Sequence, residues 1–202
     1  MGEAVLLPGA REATGTLDDP GGADGAVVAC PPHPEMGGRG TDRRLRAVSD
    51  ALGERGVACL RFDYGPWDEG YGEREDARDA VRWAADEFER VGLFGFSFGA
   101  TVAALAAATV EVDLAAVSLL APTARVSTDL DAVAALDGVR APLQVVCGAR
   151  DETVDWEPVA ERARELGATV VELPADHFFV GQDAAYAPVV ADFLADALTG
   201  DF

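Results

Sequence analysis

A short apolar run, Val91–Phe96, passes into a second, nearly all-apolar run, Ala100–Val110, through the pentapeptide Gly95-Phe96-Ser97-Phe98-Gly99. The first run has the length of a buried strand and the second that of a buried helix. A chain that changes from strand to helix in so few residues must turn sharply. Two glycines bracketing one serine supply the torsional freedom and the space for that turn. Such a turn lifts the serine off the backbone at the end of a sheet and leaves the N–H of the next residue, Phe98, beside it. This is the arrangement of a nucleophile elbow. With 22 Gly and four Ser in 202 residues, shuffling would yield roughly 0.05 such pentapeptides. The rival reading is a glycine-rich turn with an incidental serine.

The surrounding pattern decides what sheet the elbow belongs to. Glu3–Leu7 and Arg11–Leu17 read as an opening antiparallel pair joined through Pro8-Gly9, and Asp18–Gly22 as a loop. Ala26–Cys30 is a short apolar strand. Leu45, Val48 and Leu52 recur at helical spacing, and Gly56 ends that helix. Val57–Phe62 is the next strand. Ala77, Val81, Ala84 and Phe88 form one stripe on a charged helix. Ala115–Leu120 and Leu143–Cys147 are further buried strands, and Glu157–Leu166 is an amphipathic helix stopped by Gly167. Thr169–Leu173 is the last strand; Tyr186, Val190, Phe193 and Leu194 mark the last helix. Strand–helix alternation with continuous apolar strands predicts an α/β fold: a mostly parallel sheet with helices on both faces. Ligands then bind beyond the carboxyl ends of the strands. Residues 121–141 are too few to build a cap domain over them, so the site is expected to be open.

Length and composition bound the rest. At 49% hydrophobic residues, 202 residues suit one domain, 1–202, burying ~70% of its extended surface. No apolar run reaches the ~18 residues of a membrane span. Met1–Leu7 lacks the basic flank of a signal peptide, so a cytoplasmic location is expected. Cys30, Cys59 and Cys147 each lie in an apolar strand-like run, which predicts reduced, buried thiols rather than disulfides or a metal site. Sixteen basic residues, all Arg, face 36 acidic ones, for a net charge of −20. Such a field disfavours nucleic acid and anionic membranes as partners. The acids are dispersed, as in Asp18, Asp50, Asp113 and Glu161. A dispersed acidic, lysine-free surface resembles those of proteins from salt-loving microbes and predicts dependence on high salt, which shortens the Debye length to about 3 Å.

The chain has two histidines, so the choice of a base for Ser97 is narrow. His177, in Ala175-Asp176-His177-Phe178-Phe179, follows the last strand on the edge where Ser97 is expected. Neutral imidazole can take the serine proton near pH 7 and return it to a leaving group. A carboxylate must fix the imidazole tautomer. Asp151, which follows the strand Leu143–Cys147 through Gly148-Ala149-Arg150, is preferred over Glu152, Asp155 and Asp176. The order Ser97, Asp151, His177 is that of α/β-hydrolases. The loop Pro31–Gly38 follows the strand Ala26–Cys30. Pro34 has no N–H, so Phe98 together with Glu35 or Met36 is expected to supply the oxyanion hole. His33 is read as shaping that loop by hydrogen bonding or as contacting substrate. Trp67 and Tyr71 are candidates for an apolar wall. Arg61 is expected to bridge to Glu73 and Asp76, with substrate-carboxylate binding as the alternative.

These segments together resemble the small, capless α/β-hydrolases grouped near the dienelactone hydrolases. The likeness spans about residues 26–193. It is carried by His33-Pro34 through Gly38, Leu60-Arg61-Phe62-Asp63-Tyr64-Gly65, Gly72-Glu73 with Glu75-Asp76, Gly95–Ala100, Gly148–Asp151 and Asp176–Phe179. It implies Ser97 as nucleophile, Asp151 as orienting acid and His177 as base. Dienelactone hydrolases proper use a cysteine nucleophile where this chain has Ser97, so the resemblance does not carry lactone specificity over. The expected activity is hydrolysis of an ester, thioester or related small acyl compound, with no metal or organic cofactor. The alternative is a non-catalytic binding or scaffold protein that retains the fold.

Overall fold

The computed structural model describes residues 2–9 and 11–200; Met1, Ala10, Asp201 and Phe202, which the expected domain includes, lie outside the described residues. Among the described residues eight strands form one sheet: β1 (Glu3–Leu6), β2 (Thr14–Asp18), β3 (Gly25–Cys30), β4 (Ala58–Asp63), β5 (Arg90–Phe96), β6 (Ala116–Leu120), β7 (Leu143–Gly148) and β8 (Thr169–Leu173). Their spatial order is β1-β2-β4-β3-β5-β6-β7-β8. The β1–β2 and β2–β4 pairs are antiparallel, and the remaining pairs are parallel. The chain goes outward from β3 to β4 and returns to β5 on the other side of β3. The carboxyl ends of β3 and β5 therefore flank the point where the winding reverses, the place where open α/β sheets bind ligands.

Helices cover both faces. α1 (Arg43–Gly53) and α6 (Asp183–Thr199) pack on one, and α2 (Tyr71–Glu87), α3 (Phe98–Ala107) and α5 (Glu157–Glu165) on the other. Side-chain alternation along the strands feeds both layers. Val28 and Cys30 of β3 point toward α2 and α3, whereas Val27 and Ala29 point toward α1 and α6; all four are fully buried. Burying each valine contributes about 1.5–3 kcal/mol. A strand buried on both faces reads as a continuous apolar run, and this one did.

Residues 121–141 hold only a short helix, α4 (Ala132–Ala135), and one 3-10 turn, Leu136–Gly138. They form no cap domain. Among the described residues no helix is long and apolar enough to cross a membrane. The three thiols are free and buried, and burial pushes those of Cys59 and Cys147 up to about 12.

Boundaries shift where local geometry intervenes. The helix expected over Ala100–Val110 begins at Phe98, directly after the elbow, and ends at Ala107. Its wall of alanines is buried on all sides from Phe98 to Ala106. Phe88, expected on the stripe of α2, lies just past that helix in an extended conformation.

Candidate active site

Ser97 sits between β5 and α3 with φ 56° and ψ −122°, a conformation that costs a non-glycine residue about 1–3 kcal/mol. Its N–H donates to the Leu120 carbonyl on β6 at 2.8 Å, which ties the elbow to the sheet. The bracketing glycines are dictated by close approach. A Cβ on Gly95 would lie 2.2 Å from the Gly99 carbonyl oxygen, and one on Gly99 would lie 2.2 Å from that of Cys30. The elbow is thus pressed against the end of β3, where the Pro31–Gly38 loop begins.

Three side chains from three strand ends meet there. The Ser97 hydroxyl lies 2.9 Å from Nε2 of His177. Nδ1 of His177 lies 2.7 Å from Oδ2 of Asp151. Both side chains behind the serine are nearly sealed from water, with 5% of His177 and none of Asp151 exposed. The second oxygen of Asp151 accepts the backbone N–H groups of Thr153 at 2.9 Å and Val154 at 3.3 Å. The indole N–H of Trp156 donates to the Asp151 carbonyl. The carboxylate is therefore held by its own turn and can offer Oδ2 only to the imidazole. That fixes a proton on Nδ1 and leaves the Nε2 lone pair toward the serine. The rival acids are elsewhere: Glu152 and Asp155 are exposed, and Asp176 accepts the N–H groups of Phe178 and Phe179 in its own loop.

A cavity of about 460 Å³ opens over this row of groups, lined by Ser97, His177, His33, Phe96, Val126 and Phe178 among others. A larger hollow of about 520 Å³ lies between residues 107–114 and 138–142. It has no serine, cysteine or histidine in its wall; Ser97 and His177 line the smaller cavity. Phe178 packs edge-on against the ring of His177 at 5.3 Å between centroids. Arg44 and Arg125 also line this cavity. Arg44 lies 4.4 Å above the ring of Phe96 and donates to Asp42 at 2.8 Å, while Arg125 pairs with Asp131. Neither arginine was found from the sequence, where nothing sets them apart from the other fourteen.

The oxyanion arms separate. Phe98 is the first residue of α3, so its N–H has no carbonyl one turn back to bond. Across from it, Pro34–Met36 form a 3-10 turn ending at Gly37 with φ 80°. Within that turn the N–H of Met36 donates to the His33 carbonyl at 3.1 Å, and Gly38 donates to the same oxygen at 3.0 Å. Met36 therefore has no free N–H to offer, contrary to one of the two expectations. Glu35, in the first turn, keeps its own.

The His33 ring makes no hydrogen bond among the described residues; the loop is shaped by the His33 carbonyl instead. The ring packs between Trp67, at 4.5 Å, and Phe98, at 4.9 Å. Trp67 stands behind His33 rather than in the lining; the partly exposed Tyr71 does not line the cavity either, and its hydroxyl donates to Asp129 at 3.4 Å. Arg61 does not reach Glu73 or Asp76. It donates to Asp18 and to the Gly40 carbonyl, both at 2.6 Å. The Asp18 carboxyl is held below its ordinary range: burial pushes it up, but the bonds from Arg61 and Ser49 outweigh that. Asp76 instead takes Arg11 at 3.0 Å, and Glu73 accepts the N–H groups of Asp68 and Gly70. Arg61 is buried under β2 and supports Gly40 just before α1; it cannot meet a substrate carboxylate.

No family model and no curated protein matches the chain, but solved structures do. An α/β serine hydrolase homologue from Coxiella burnetii is 28% identical, with a TM-score of 0.81 over 95% of this chain and 97% of that one. The lidless α/β serine hydrolase XC6422 from Xanthomonas campestris is 24% identical, with a TM-score of 0.80 over 100% and 95% of the two chains. A dienelactone hydrolase from Anabaena variabilis is 24% identical, with a TM-score of 0.77 over 99% and 97%. The latter two likenesses speak to the fold. Together with the sheet order and the absence of a cap domain among the described residues, these likenesses show that the chain has the capless α/β-hydrolase fold and is similar to α/β serine hydrolases.

Proposed function

We propose that this protein is a serine hydrolase acting on an ester, thioester or related small acyl compound. Ser97 attacks the carbonyl carbon while Nε2 of His177 takes the hydroxyl proton. The oxygen of the tetrahedral intermediate meets the N–H of Phe98 and a donor from the Pro31–Gly38 loop, in which the backbone N–H groups of His33 and Glu35 are not taken up by the turn. Collapse expels the alcohol or thiol, which receives the proton from His177. A water then repeats the sequence on the acyl-enzyme, with His177 as base, and releases the acid. Asp151 holds the imidazole in the tautomer that makes each transfer possible.

The observation that carries this reading is the unbroken row from Ser97 to His177 to Asp151 at 2.9 and 2.7 Å, ending in a carboxylate sealed from water. Support also comes from the cavity over it, whose volume of about 460 Å³ suits a small molecule. Short-chain p-nitrophenyl esters are the first probe, with the rate of wild type compared against Ser97→Ala. The variant is expected to lose activity to the level left by binding and the oxyanion hole alone. Equal rates would reject the mechanism and favour a binding or scaffold role.

A further inference from the structure

The Pro31–Gly38 loop is short of backbone donors. Pro34 has none, and the N–H groups of Met36, Gly37 and Gly38 are consumed inside the turn. Glu35 and His33 keep their backbone N–H groups; Glu35 is exposed and does not line the cavity, so His33 is the residue of this loop placed to donate there. His33 does line it, beside Ser97 and Phe98. The His33 ring is clamped between Trp67 and Phe98, and its backbone is fixed by prolines on either side and by two hydrogen bonds to its carbonyl. Its Nδ1 is buried with no hydrogen-bond partner among the described residues.

A proton on that nitrogen would leave a buried donor unpaired, at a cost of about 1–3 kcal/mol. The proton therefore belongs on Nε2, the nitrogen not closed off by neighbours. The geometry points to His33 as the second oxyanion donor: its Nε2–H, aimed into the cavity by a rigid loop, hydrogen-bonds the acyl oxygen as that oxygen gains charge, opposite the N–H of Phe98. This assignment rests on the serine-hydrolase reading and makes His33 a catalytic residue within it. No bond to His33 forms or breaks; its part is electrostatic, in a position prepared before substrate arrives.

Three variants separate the donor from the ring. His33→Phe keeps the aromatic packing and removes the N–H. His33→Gln places an amide N–H near the position of Nε2. His33→Met has a similar length to Gln without a donor. On p-nitrophenyl acetate, His33→Phe should lower kcat by roughly 10²-fold, with KM within about threefold of wild type. His33→Gln should exceed both Phe and Met variants by about tenfold or more. Melting curves, with covalent labelling of Ser97 by a fluorophosphonate, report whether each variant is folded. If His33→Phe does not fold, the Gln and Met comparison decides alone. A kcat for His33→Phe within about threefold of wild type, or no advantage of Gln over Met, overturns the assignment while labelled wild type leaves the serine mechanism standing. Wild type that neither turns over nor labels overturns both.

Discussion

Replacing Asp151 by Asn changes one proton position and little else. Oδ1 of Asp151 accepts two backbone N–H groups, from Thr153 and Val154, and Oδ2 faces Nδ1 of His177 at 2.7 Å. An asparagine must keep its oxygen toward the two backbone donors, because its NH2 there would oppose N–H with N–H. The NH2 then faces His177, and Nδ1 has to accept. The imidazole proton moves to Nε2 and points at the Ser97 hydroxyl, which now finds a donor where it needs a base. Wrong-tautomer substitutions of this kind cost about 10⁴-fold in kcat, or about 5 kcal/mol of barrier at 1.36 kcal/mol per decade. The fold should not notice, since the Thr153 and Val154 bonds survive; the melting temperature is expected to stay within about 3 °C of wild type. The assay is kcat on p-nitrophenyl acetate with thermal melts alongside. A folded Asp151→Asn enzyme retaining kcat within about tenfold of wild type would refute the claim that this carboxylate sets the tautomer.

Gly99→Ala should destabilise by about 1–3 kcal/mol and lower activity as well. Its Cβ would meet the backbone carbonyls of Cys30 at 2.2 Å and Pro31 at 2.4 Å, and relieving that contact moves the elbow away from the loop. A variant with wild-type Tm and kcat would show that the contact can relax freely. Arg61→Met removes the partner of Asp18 and the donor to Gly40; about 2 kcal/mol should be lost in denaturant unfolding at pH 7. Because the folded Asp18 carboxyl is held low, the stability from this pair is present above the ordinary Asp value of about 3.9 and fades as pH falls through the depressed one. The loss caused by Arg61→Met should therefore shrink in acid; an equal loss at pH 7 and pH 3 would contradict the pairing. With a net charge of −20, melting temperature should rise by at least about 5 °C between dilute buffer and molar KCl. No gain would remove the salt-dependence reading.

What the sequence revealed was local or followed from chain order. The elbow lies within five residues, and strands buried on both faces declare themselves as apolar runs. Asp151 and His177 could be found because each follows a strand whose carboxyl end the parallel sheet sends to the same edge. The errors lie where partners come from strands that the sequence cannot place side by side. β2 lies against β4, with Thr16 opposite Arg61. Asp18, two residues along on the same face, therefore captures the arginine that was expected to meet Glu73 and Asp76. Those acids receive Arg11 and nearby backbone N–H groups instead. Tyr71 opens α2 and lies outside the cavity lining, and no pattern in the sequence tells which residues of a helix's first turn reach a site. The loss of Met36 as a donor depends on a 3-10 turn after His33, which Pro34 invites but does not specify.

The central claim is that the Ser97 hydroxyl is an activated nucleophile. Intact-mass measurement after exposure to a fluorophosphonate at high and low salt tests it most directly. One phosphonyl group per chain is expected, on Ser97 by peptide mapping, lost in Ser97→Ala and strongly slowed in Asp151→Asn. An unmodified mass for folded wild type at every salt concentration, or an adduct that persists without Ser97, would contradict it.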